Sequence, residues 1–214
     1  MSVLRLILGD QLSESLASLE DIDPQKDVVM LCEVMEEATY VRHHKKKIAF
    51  LFAAMRHFAE GLKARGISIR YMALDDPDNS GSLDGELKRA IQALKPERLI
   101  LTEPGEYRVL QQMHTWRGSL GIPVEIRTDH RFLCSIESFN QWARGKKQMR
   151  MEFFYRDMRK KHTILMEANG KPTGLQWNYD KDNRKPPKTG MRSPQRIAHP
   201  KSPIVKSVLN LVKQ

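Results

Sequence analysis

The sequence predicts an α/β protein built on a doubly wound, five-stranded parallel sheet, followed by a docking helix and an extended basic connector. Three observations carry this. Over residues 1–140, short apolar or β-branched runs alternate with longer runs of helical periodicity. The strand-like runs are mostly apolar or β-branched, which suits strands covered on both faces. Past residue 140 the pattern gives way to cationic, aromatic and proline-rich chain. Charge divides at the same point: residues 1–140 hold 18 Lys and Arg against 21 Asp and Glu, and residues 141–214 hold 18 against 5. The net charge of +10 is therefore a property of the second region, and an apolar content of 40% is ample for a core in the first.

The five strands are predicted at Val3 to Leu8, Val28 to Cys32, Ser68 to Tyr71, Leu99 to Thr102 and Val124 to Ile126, each bounded by Gly, Pro or Asp. Between them, Ile48, Leu51, Met55, Phe58 and Leu62 step by three and four along one helical face. Leu83, Leu87, Ile91 and Leu94 repeat the pattern, as do Leu110, Met113 and Leu120. Gly66 suits a helix C-terminus and Pro96 stops the next helix. The adjacent His43 and His44 before three lysines read as a solvated helix start, because neighbouring helical residues diverge and cannot share a metal.

Several functions are excluded or disfavoured. No GxGxxG follows the first strand and no GxxxxGK[ST] occurs, which removes the usual dinucleotide and nucleoside-triphosphate readings. Cys32 and Cys134 stand alone in apolar surroundings, so they form neither a disulfide framework nor a paired metal motif, and suit a reducing cytoplasm. The longest apolar stretch, Ile48 to Met55, is too short for a bilayer, and the start resembles no cleavable leader. No nucleophile or other catalytic residue is assigned.

In an open parallel sheet the ligand crevice lies beyond the carboxyl ends of the strands, where strand order reverses. The residues falling there are Gly9, Asp10, Gln11 and Leu12 after the first strand, and Glu33, Glu36, Glu37 and Tyr40 after the second. Glu103, Glu106 and Tyr107 follow the fourth, and Asp129, His130 and Arg131 the fifth. A rim so rich in carboxylates disfavours phosphate. It suits a neutral polyhydroxylated or heteroaromatic ligand whose O–H and N–H groups donate to it while Leu51 flanks the ring. The alternative is that these acids are ordinary solvated loop residues.

In the second region, Met151, Phe154, Met158 and Leu165 are predicted on one helical face, with the helix ending at Asn169 and Gly170. The run KPTGLQWNYDKDNRKP then places Trp177 and Tyr179 among prolines and cations. Such a segment is costly to leave exposed, so it is expected to wrap a surface: its own domain, a second domain or nucleic acid.

The stretches LILGDQL, FYRDMRKKHTILM and KPTGLQWNYDKDNRKP together resemble the amino-terminal region of the photolyase-related proteins, in particular the iron–sulfur bacterial cryptochrome and (6-4) photolyase branch. The turn Gly174-Leu175-Gln176 departs from that family's pattern of two glycines before the Trp. The resemblance implies a Rossmann-like antenna domain over residues 1–140, and a docking helix and connector over 141–214 leading to a helical domain. That helical domain would hold FAD, the iron–sulfur cluster and the DNA lesion site. The antenna pigment implied is 6,7-dimethyl-8-ribityllumazine, with Gly9, Asp10, Gln11, Leu12, Cys32, Glu33, Glu37, Tyr40 and Glu106 carried over as its contacts. Two cysteines cannot ligate an iron–sulfur cluster, so FAD and cluster are expected outside these residues and photorepair by this chain alone is not. The alternatives are a basic nucleic-acid-binding module, with Trp177 and Tyr179 stacking on bases, and an α/β small-molecule binder unrelated to light.

Overall fold

The computed structural model describes residues 2–181, 183, 184, 186 and 189–213. In chain order they form β1 (Val3–Leu6), β2 (Val28–Cys32), α1 (Met35–Thr39), α2 (Lys45–Ala64), β3 (Ser68–Met72), α3 (Leu83–Leu94), β4 (Arg98–Thr102), α4 (Tyr107–Ser119) and β5 (Val124–Arg127). There follow α5 (Ile136–Ala143), α6 (Met151–His162) and α7 (Pro203–Leu211). All pairings in the sheet are parallel and its order is β3-β2-β1-β4-β5, so the predicted doubly wound sheet is the one observed. The reversal falls between β1 and β4.

Successive side chains of a strand face opposite sides, and the sheet shows it. Leu4, Leu6, Met30, Leu99 and Leu101 enter one core with α3 and α4, while Val29 and Leu31 enter the other with α2 and α7. Each such side chain taken out of water contributes about 1.5 to 3 kcal/mol. On α4 the buried stripe is Val109, Met113 and Trp116, continued by Leu120 at its C-cap. The expected Leu110 is only half-buried, because the stripe starts one residue earlier and Trp116 fills the next turn. Ile7 and Leu8, expected in the first strand, lie just past β1. There the side chain of Gln11 accepts from Leu8 N and starts the turn.

The chain divides into two compact units, residues 1–131 with 200–214, and residues 132–199. The last fifteen residues, expected in the connector, return to the sheet-bearing unit. Ser202 caps α7 by accepting from Val205 N, Pro203 supplies a preset first turn, and Val208 is fully buried against α2.

The 132–199 unit is held differently. Phe139 and Trp142 of α5 meet Phe154 of α6 with ring centres 5.3 and 5.0 Å apart, and Trp142 donates to Asp157 at 3.0 Å. Helix α6 ends at His162, earlier than expected, because Thr163 turns left-handed and Arg159 donates to the carbonyls of Ile164 and Leu165. Leu165 therefore lies off the helix, and Asn169 and Gly170 sit in a separate turn closed by Gly170 N to Glu167 O.

Candidate functional site

The carboxyl ends of β1, β2 and β4 surround a cavity of about 240 Å³. It lies at the strand-order reversal, where an open α/β sheet presents its crevice. Its deep walls are apolar: Ile7, Val34, Phe52, Met55 and Val109. Helix α2 supplies one side through Lys47, Ile48, Leu51 and Met55: 47, 51 and 55 step by four and 48 lies three before 51, which puts them on one flank of the helix. Gly9 lets that helix approach. A Cβ there would meet Met55 Sδ at 3.0 Å and Leu51 at 3.3 Å, so the glycine admits the walls of the cavity as well as whatever fills it.

The mouth is polar. Glu37 and Tyr40 come from α1 and the residue after it, Asp10 from the β1 turn, and Glu106 from the N-cap of α4. Arg108 joins two of these: its Nη1 and Nη2 donate to the two Glu37 oxygens at 2.9 and 2.7 Å, and Nε donates to Glu106 at 3.0 Å. These bonds raise the arginine further above its ordinary value. Its guanidinium also lies 4.4 Å from the Tyr40 ring centre. A carboxylate offers about four acceptor positions, so Glu37 retains capacity for a ligand hydroxyl or ring N–H.

The structure brings Gly9, Asp10, Cys32, Glu37, Tyr40, Leu51 and Glu106 to the cavity and leaves three candidates outside its lining. Gln11 is buried and its amide donates to the carbonyls of Thr102 and Glu103 at 3.1 and 3.0 Å, tying the β1 turn to the end of β4. Leu12 packs on the core beneath α2. Glu33 is fully buried; Arg56 holds both its oxygens at 2.7 and 2.8 Å, and Tyr71 Oη and Leu74 N donate to it at 2.5 and 2.9 Å. Burial first, then the Glu33 charge, pushes the Tyr71 hydroxyl well above its ordinary value, so it stays a donor. Burial likewise pushes the Cys32 thiol up to about 12.

Sequence reasoning missed most of the cations. Arg56 and Arg108 were not among the residues read at the strand ends, and they pair with Glu33 and with Glu37 and Glu106, while Arg131, which was, pairs with Asp129; much of the carboxylate set is therefore ion-paired rather than free. His43 and Lys47 also line the cavity, with His43 Nδ1 and Lys47 Nζ 3.2 Å apart. Lys47 was findable, since 47, 51 and 55 step by four. His44 is a helix start as read, capping α2 by accepting from Lys46 N at 3.0 Å. Among the described residues no three His, Cys, Asp or Glu are placed to hold a metal ion, and no helix is long and apolar enough to cross a membrane.

This arrangement defines a doubly wound α/β protein with an apolar, small-molecule-sized cavity at its switch point. Residues 5–214 match the family of deoxyribodipyrimidine photo-lyase-related proteins, and the chain belongs to it. It is 50% identical over all 214 residues to a (6-4) photolyase of Agrobacterium fabrum, matching the N-terminal part and 42% of the length of that protein. It is also 25% identical over 193 residues, 86% of this chain, to an uncharacterised protein of Acanthamoeba polyphaga mimivirus, covering 94% of that protein.

Proposed function

We propose that this chain is the antenna part of a photolyase-like flavoprotein acting in light-dependent DNA repair or blue-light sensing, and that its cavity holds a lumazine-type pigment. The observation that carries the reading is the cavity's place and chemistry: apolar walls at the switch point of the sheet, with a carboxylate and a tyrosine at the mouth. A lumazine presents a flat ring to the apolar walls and a chain of hydroxyls to the mouth. Leu51 and Met55 would flank the ring, Glu37 would accept from the hydroxyl chain or ring N–H, and Tyr40 would donate or accept beside it. When bound, such a pigment supplies near-ultraviolet absorption whose energy passes to a second chromophore. The residues here do not fit an iron–sulfur cluster, since the chain has two cysteines where a cluster takes four ligands. FAD, the cluster and lesion contact are assigned to the part of the longer relative that this chain does not span, with DNA as the partner of the whole protein and the cytoplasm as its compartment.

The test is titration with 6,7-dimethyl-8-ribityllumazine, followed by fluorescence polarisation. Glu37→Ala is expected to weaken binding roughly tenfold to a hundredfold, the effect of losing a buried polar contact worth about 1 to 3 kcal/mol. Leu51→Trp is expected to abolish it by filling the cavity. Equal binding by all three proteins would place the pocket elsewhere.

A second reading has its own observation. Arg156 and Lys160 lie 5.3 and 5.4 Å from the Trp177 ring centre, an aromatic and cationic surface of the kind that binds single-stranded nucleic acid. It predicts a salt-sensitive mobility shift with single-stranded DNA that Trp177→Ala weakens.

A further inference from the structure

The mouth of the cavity is rimmed by a chain of side chains, and the residue that ties the chain together is not itself part of the lining. Arg108, inside the first turn of α4, reaches Glu37 on α1 through both terminal nitrogens, holds Glu106 through Nε and covers the Tyr40 ring. From Tyr40 the contacts run on edge-on to His43, ring centres 5.1 Å apart, and then to Lys47 on α2. The rim is thereby spanned from α4 through α1 to α2.

The element being held has little else to hold it. Helix α1 has five residues, no side-chain cap and no buried residue, and a helix that short has no stability of its own. Its ties beyond itself are Glu36 N to Gly81 O at 2.9 Å and the partial packing of Ala38. Opening it breaks few contacts, so it belongs to the low-energy end of local fluctuations.

We propose that Arg108 is the latch of this cavity: it keeps α1 closed over the mouth, so that a small molecule enters and leaves only when the Arg108 to Glu37 pair parts. For the pigment this rests on the reading given above. The pair is made by two side chains of this chain and uses no atom of a ligand, so it stabilises the closed form whether or not the cavity is filled. Its loss therefore speeds entry and exit together and leaves the equilibrium affinity nearly unaltered. A half-exposed bidentate pair is expected to slow exchange about threefold to tenfold, and added salt to weaken it.

Two measurements test this. The first needs no ligand. Cys32 lines the cavity and is 6% exposed, so in a Cys134→Ser background its alkylation by iodoacetamide, read by peptide mass, reports opening. Arg108→Ala is expected to label about three to ten times faster and Arg108→Lys to fall between, because an ammonium cannot hold both carboxylate oxygens. Lys88→Ala, which breaks the comparable surface pair with Asp84 on α3, is expected to label as the parent does. Equal labelling of Arg108→Ala and parent overturns the latch. So does faster labelling matched by an equal loss of global stability in urea, which assigns the exposure to unfolding. The second is stopped-flow mixing with the lumazine. Association and dissociation rates are expected to rise together in Arg108→Ala; a rise in dissociation alone makes Arg108 a ligand contact and overturns the latch. Should the parent bind no lumazine, the pigment reading falls, and the thiol measurement still decides the latch.

Discussion

The sheet-bearing unit and the 132–199 unit reach order by different chemistry. In the first, both faces of the sheet are covered and residues such as Leu4, Leu87, Leu99 and Met113 are fully buried. Among the described residues of the second, only Arg159 and Pro172 are buried, and large apolar side chains such as Met151, Leu165 and Leu175 stay exposed. An arginine occupies the place a leucine would take: Arg159 donates to two carbonyls at the end of α6 and lies against the Trp177 and Tyr155 rings. An apolar core tolerates little but holds a cavity rigidly. A cation and aromatic cluster orders a segment with less burial and leaves its surface open to partners.

The sharpest way to break this contrast is to remove bulk from the sheet. Leu99→Ala is expected to cost about 2 to 5 kcal/mol in urea unfolding, through lost burial and the void left behind. Met158→Ala, half-buried on α6, is expected to cost well under that. Comparable losses would mean the second unit has a core of the ordinary kind.

Next in size is Arg159→Met, which keeps the apolar length and removes the donors. It is expected to cost about 1 to 3 kcal/mol, seen as faster amide exchange over residues 159–175 with exchange in the sheet unchanged. Arg159→Lys should rescue little, because one ammonium lacks the fork that serves both carbonyls. A smaller gain should come from Leu175→Gly. Leu175 has φ of 62° and is exposed, so its side chain contributes strain and no packing. Relief is expected to stabilise the segment by about 1 kcal/mol, read from the same exchange rates. The neighbouring Gly174 cannot be exchanged in return, since a Cβ there would collide with Tyr179 Oη.

The smallest effect concerns acid. Asp21 clamps β1 and β5 by accepting from Arg127 and Arg5, and these arginines, Arg127 foremost, lower its carboxyl from 3.8 to about 2. A carboxyl depressed on folding contributes stability that is complete above its unfolded value and is lost as pH falls toward its folded one. The urea midpoint of the parent is therefore expected to exceed that of Asp21→Asn above about pH 4. The difference should close toward pH 2; a constant difference would remove the charge from the explanation.

The fold was legible because its signals are local and repeated: apolar strands, three- and four-residue steps, and punctuation such as Gly66, which has φ of 80° just past α2. The cavity was legible in part, because the switch-point rule names the loops without saying which side chains turn inward. Glu33 and Glu37 read alike in sequence, yet Arg56 draws one into the core and Arg108 holds the other at the mouth. Their partners lie 23 and 71 residues away, a separation no local pattern spans. The return of α7 to α2 was hidden for the same reason, behind a stretch whose composition reads as linker. In α6, periodicity ran on to Leu165 while a left-handed Thr163 had already ended the helix.

Hydrogen exchange with and without added 6,7-dimethyl-8-ribityllumazine tests the central claim most directly, since it reads both units in one experiment. Protection is predicted in the segments around residues 8–12, 32–40, 47–55 and 104–109, with no change over 132–199. Protection confined to residues 150–180, or none anywhere at saturating pigment, would contradict the assignment of the cavity.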